Sequence, residues 1–148
     1  MKIELTNLTT EKCDEKRLIS VADFALAQAE IHPDCELSIS LVNDEEMSSL
    51  HMQWMDEPGP TDVLSFPMDE VRPRSRASGP AMLGDVILCP SFAAPQAREA
   101  GHTLQEELEL LTVHGVLHLL GYDHREADEK NVMFSLQDQY LAQWRKGA

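Results

Sequence analysis

Three histidines lie where one short stretch of chain could gather them: His114, His118 and His124, in the run His-Gly-Val-Leu-His-Leu-Leu-Gly-Tyr-Asp-His. Two residues four apart on a helix project from one face about a turn apart, and Gly121 lets the chain reverse so that His124 returns towards the pair. Three neutral imidazole nitrogens converging on one point build a tetrahedral zinc site with one position left for solvent. Water held there becomes acidic enough to attack at neutral pH, so the expected chemistry is metal-assisted hydrolysis with one zinc ion per chain. A closed structural site is the other metal reading, but no fourth ligand is evident nearby in the sequence.

The spacing matches the long zinc-protease signature of two histidines in one helical turn, a glycine and a third histidine. In those proteases the residue after the first histidine is a glutamate that serves as general base; here it is Gly115. The ligand cage is shared and the protease's base is missing, which counts against peptide hydrolysis.

The histidine-bearing helix starts at a capping-box pattern, Thr103-Leu-Gln-Glu106,. Seven of the eleven residues from Leu110 to Leu120 are aliphatic, so it is expected to be central and buried on several sides. At 100° per residue Glu107 falls on the same side as His114, about two turns away. Upstream, strands are expected at Lys2 to Thr6, Cys35 to Val42, Thr61 to Pro67 and Met82 to Cys89,. Helices are expected from Asp14 to about Glu30, from Asn43 or Asp44 to about Trp54, and from Pro90 to about Ala100,. The second of these should carry Met47, Leu50 and Trp54 on its apolar side. A last helix from Arg125 to Trp144 carries a stripe of Met133, Leu136, Tyr140 and Trp144. The two strands on either side of residues 68–80 are joined without a helix. The fold class expected is therefore α+β, one domain over residues 1–148, with a mixed and mainly four-stranded sheet covered by helices.

Composition narrows the field. Lys and Arg total 12 against 26 Asp and Glu, a net charge of −14, which argues against a non-specific nucleic-acid binder and gives no reason to expect DNA. Cys13, Cys35 and Cys89 are odd in number and lack C-x-x-C spacing, so small buried thiols in a reducing, cytoplasmic setting are expected. The N-terminal residues have no apolar signal region, and no run approaches the ~18 apolar residues of a membrane span. The chain is expected to be soluble, with no membrane partner.

Two further features could do chemistry. Met68 to Pro80 is polar and proline-rich, reads as a mobile loop, and holds the one local basic cluster, Arg72, Arg74 and Arg76, a solvated loop or a phosphate clamp,. Asp85 falls inside the strand expected to be most buried, where a carboxylate is costly unless paired or useful. It reads either as a catalytic partner, fixing a ligand or acting as a base near the metal water, or as an acid tied to backbone donors.

His-Gly-x-Leu-His-Leu-x-Gly-Tyr-Asp-His at 114 to 124, Thr-Asp-Val-Leu-Ser-Phe-Pro at 61 to 67 and Leu-Gly-Asp-Val at 83 to 86 together resemble the YbeY family, the bacterial ribosomal RNA maturation factors. The three blocks stand in the family's order across nearly the whole chain. The resemblance implies a zinc-dependent endoribonuclease acting on single-stranded RNA, engaged in small-subunit ribosomal RNA maturation and ribosome quality control, with the ribosome or its small subunit as partner. By position, His114, His118 and His124 match the metal ligands and Asp85 the acidic position beside the site. Similar proteins carry an arginine six residues before the threonine of the second block; here that residue is Met55. One of Arg72, Arg74 and Arg76 is the expected substitute. The other classes in play are a zinc hydrolase of another substrate and a non-catalytic ribosome-assembly factor with a structural zinc.

Overall fold

The computed structural model describes residues 2–147. Its elements are β1 (Lys2–Asn7), α1 (Glu15–Gln28), β2 (Glu36–Leu41), α2 (Asp44–Met55), β3 (Val63–Pro67), β4 (Met82–Leu88), α3 (Pro90–Ala100), α4 (Leu104–Leu119) and α5 (Ala127–Gly147), with a short 3-10 turn at Arg76–Ser78. The sheet has the order β1-β2-β4-β3. β1, β2 and β4 run parallel, while β3 and β4 form an antiparallel hairpin. This is the mixed four-stranded α+β domain expected from the order of elements.

Helix starts follow the capping chemistry in the sequence. Asp14 accepts from the Arg17 N–H at 3.1 Å and Asn43 from the Glu46 N–H at 2.9 Å. At α4, Thr103 and Glu106 satisfy each other's orphan backbone donors in a full capping box,. α4 is the structural centre, contacting α1, α3, α5, β3 and β4. Its Glu109, 1% exposed, receives Arg17 of α1 at 2.8 Å and Arg145 of α5 at 3.2 Å. A buried carboxylate held by two guanidinium groups locks the outer helices onto the one that carries the histidines.

The main core lies between the sheet and these helices and includes Leu37, Ile39, Leu83, Val86, Leu88, Leu108, Val113, Val116 and Leu117. A smaller cluster on the other face joins Met47 of α2 to Leu64, Ile87 and Cys89. Gly84 makes the switch between faces possible. The register of β2 against β4 slips there, Glu36 facing Met82 and Leu37 facing Gly84, with Gly84 at φ 134°. A side chain at this position would meet the Phe66 carbonyl oxygen at 2.1 Å, so only glycine fits.

Three local expectations change. Trp54 is 62% exposed rather than on an apolar face, touching only the edge of Phe66 at 6.1 Å between ring centroids. On α5 the buried stripe is Met133, Gln137, Tyr140, Leu141 and Trp144, with Leu136 only half-buried. The arginine stretch is anchored, not loose: Val71 packs in the main core, the Arg74 N–H donates to the Ala29 carbonyl at 2.8 Å, and Asp69 accepts from the Met82 N–H at 2.8 Å. One buried valine and two ties to the body outweigh a polar composition.

Candidate metal centre

His114 and His118 leave α4 from the same face, one turn apart. The helix closes with the Gly121 N–H donating to the His118 carbonyl at 3.0 Å and the Tyr122 N–H to that of Leu117 at 3.1 Å. Gly121, at φ 95°, takes the left-handed turn that sends the chain back. Asp123 then accepts from the His124 N–H at 2.7 Å, setting the third ring over the first two. Ring centroids are 4.8, 5.1 and 5.5 Å apart, and one ring nitrogen from each histidine lies within 4.8 Å of the others.

The donor set fits a metal on three grounds. The His114 Nδ1–H donates to Gln137 Oε1 at 2.8 Å, which leaves Nε2 as the unprotonated nitrogen, as a ligand histidine requires. Burial, reinforced by His114 and His124, lowers the His118 pKa to about 4; burial likewise lowers that of His114. Neutral imidazole, the ligating form, is therefore favoured well below neutrality. Among the described residues no Cys, Asp or Glu joins the three histidines in this group, so the protein supplies three donors and no seal. Phe134 walls the site, 5.9 Å from the His114 ring and 6.1 Å from His124.

The depressed pKa values carry a pH signature. In the unfolded chain these imidazoles take protons at their ordinary value of 6.5, whereas folded His118 resists until about 4. Below pH 6.5 the unfolded state thus binds more protons, and falling pH favours it. The chelated protein is expected to lose thermal stability steadily from pH 6.5 to about 4, a loss that His118→Ala reduces; a melting temperature flat across that window would contradict the burial of the site.

Gln137, Phe134 and Asp62 are site residues that sequence reasoning missed. Asp62 precedes β3 and draws the His114 pKa up against burial. For Gln137 a signal existed: a polar residue four after Met133, on a stripe otherwise apolar. Gln137→Ala frees the His114 ring to turn, and metal affinity measured by competition with a chelating dye is expected to fall about 10- to 100-fold.

The other expected site residues separate. Asp85 is not brought to the histidines. Val86 packs towards α4, where a side chain on Gly115 would meet it, while Asp85 looks from the opposite face of the sheet and lines a hollow with Lys2, Glu4, Glu36 and Ser38. It is only partly buried, so it needs no partner to explain it. Arg72 shares a cleft with His118, walled by Pro67, Met68 and Gly121, and pairs with Glu70. Arg74 and Arg76 are exposed and do not line that cleft. Met55 ends α2, 53% exposed.

Three imidazoles that could hold one metal ion, with no acidic or thiol ligand joining them among the described residues, stand beside an open cleft on an α+β domain, an arrangement suited to metal-assisted hydrolysis,. A family model described as Endoribonuclease YbeY matches residues 3–145. Endoribonuclease YbeY of Rhodococcus opacus (strain B4) is 58% identical, over 97% of this chain and 82% of the relative. That of Thermobifida fusca (strain YX) is 54% identical, over 99% and 96%. The solution structure of TM1509 from Thermotoga maritima is similar at a TM-score of 0.64 and 29% identity, over 98% of this chain and 93% of that one. The chain belongs to the endoribonuclease YbeY family. No helix among the described residues is long and apolar enough to cross a membrane.

Proposed function

We propose that this chain is a zinc-dependent endoribonuclease that hydrolyses phosphodiester bonds of single-stranded RNA, in the cytoplasm, during maturation of small-subunit ribosomal RNA. The observation that carries the reading is the convergence of His114, His118 and His124 with no Cys, Asp or Glu joining them among the described residues, in a member of this family. Zinc held there would acidify water and offset the charge that develops on phosphate oxygens. The residues prepare for it: Gln137 orients His114, burial keeps His114 and His118 unprotonated, and Phe134 limits water on one side. A local cationic centre also answers the acidity of the whole, since substrate meets the site and not the average charge.

Arg72 is the arginine best placed to substitute for the family's basic residue at Met55. Arg72→Ala is expected to weaken RNA binding about tenfold at low salt and to reduce the slope of log affinity against log salt by about 0.7, one phosphate contact on a single strand. Arg74→Ala and Arg76→Ala should change neither, and equal losses for all three would mean a diffuse basic loop.

The test of function is incubation of the purified, zinc-replete protein with single-stranded RNA and with an unstructured peptide, each with and without chelator. Chelator-sensitive cleavage of RNA alone supports the reading. Cleavage of peptide, or of neither, overturns it.

A further inference from the structure

Beside the histidines runs the free edge of β3, whose one neighbour in the sheet is β4. The Cys89 N–H donates to the Asp62 carbonyl at 3.0 Å and the Met68 N–H to that of Leu83 at 3.1 Å. With the register Val63↔Leu88 to Pro67↔Gly84, these bonds place residues 62, 64, 66 and 68 in the hydrogen-bonded pairs of the ladder. The backbone groups of Val63, Ser65 and Pro67 therefore point away from β4. Pro67 agrees with this parity, because a strand tolerates proline where the missing N–H would face outward.

The edge is chemically lopsided. The Val63 N–H is taken by Asp62 Oδ1 at 2.8 Å, and Pro67 has none. What it offers is three carbonyl oxygens, of Val63, Ser65 and Pro67, and one N–H, of Ser65, none bonded elsewhere among the described residues. It lies along the histidine helix: the Ser65 hydroxyl donates to the Gly115 carbonyl at 2.9 Å, next to His114, and Pro67 and Met68 line the cleft of His118 and Arg72. A peptide strand needs donors and acceptors in alternation to add to an edge, so this one suits it poorly. An RNA strand carries a hydroxyl donor on every ribose and acceptors on every phosphate. Outward carbonyls recur every ~6.7 Å along a strand, a distance one extended nucleotide spans.

We propose that single-stranded RNA lies along the free edge of β3, its 2′-hydroxyls donating to the outward carbonyls and a phosphate oxygen accepting from the Ser65 N–H. The edge then sets the preference for ribose over deoxyribose, and Ser65 acts as a positioning residue through its backbone. This rests on the ribonuclease reading above.

The test uses the full chain with chelator present, so that the strand stays intact, and fluorescence anisotropy with a short labelled RNA, its 2′-fluoro analogue and the matching DNA. The 2′-fluoro strand keeps the ribose pucker and cannot donate. It is expected to bind at least about fivefold more weakly than RNA. Exchange of the Ser65 amide, read by NMR, should slow when RNA saturates the protein. Ser65→Pro deletes the N–H and should weaken RNA and DNA by one common factor. If Ser65→Pro does not fold, the two measurements on the unaltered protein decide. Equal affinity for RNA and 2′-fluoro RNA, or a Ser65 amide indifferent to bound RNA, overturns the proposal. RNA cleaved by the zinc-replete protein without Ser65 protection removes the edge alone; RNA neither bound nor cleaved removes the ribonuclease reading with it.

Discussion

Alanine at His118 is expected to abolish cleavage of single-stranded RNA and to release the metal, with the fold intact. His118 is central to the group, 4.8 Å from His114 and 5.1 Å from His124 between centroids, and its loss leaves two ligands on separate segments. Two imidazoles cannot replace the rigid three-point hold that a catalytic site with one solvent position needs. The rate should fall at least about a thousandfold, the scale expected when the main source of charge stabilisation is removed. The fold should survive, because His118 is only partly buried and its ring is uncharged at neutral pH, so no buried charge loses its partner. Metal content by mass spectrometry, cleavage of a labelled strand and a thermal melt on one preparation separate these effects. A variant that keeps stoichiometric metal and turnover would remove His118 from the centre.

The centre was legible because its information is local. His114, His118, Gly121 and His124 fall within eleven residues, and helix geometry with one glycine turn dictates where their rings go. Gln137 was not legible as a partner of His114, since 23 residues and a helix packing angle separate them. Asp85 was misplaced for a different reason. Met82 to Cys89 is apolar on both faces, so it lacks the alternation from which a side can be read, and the irregularity at Gly84 breaks the count besides. Leu83 and Val86, three apart, both reach the main core, while Asp85 and Ile87 turn away from it. The arginine loop misled through composition, which cannot register that one buried Val71, one backbone bond from Arg74 and the Asp69 carboxylate suffice to anchor thirteen residues.

Installing the protease's glutamate by Gly115→Glu is expected to unfold the protein or nearly so, without conferring peptide cleavage. Gly115 is buried where α4 lies closest to the β3–β4 hairpin. A side chain there would begin 2.7 Å from Val86 Cγ1, closer than real contacts come, and 3.2 Å from Ser65 Oγ, a tight one. Val86 is wholly buried and cannot retreat, so the helix must lift, breaking the bond from Ser65 to the Gly115 carbonyl. Even alanine should cost about 1–3 kcal/mol from overpacking, against a gain of up to ~1 kcal/mol in helix propensity. Glutamate adds a carboxylate with no partner in an apolar contact, several kcal/mol more, which approaches the whole stability of an ordinary domain. Urea titration of both variants, with a peptide-cleavage assay on whatever folded protein remains, measures this. A stable Gly115→Glu protein would show that the helix has room to spare. The glycine follows from how closely the helix meets the hairpin, so the base that a peptidase needs and the packing that holds these histidines beside β3 compete for the same space.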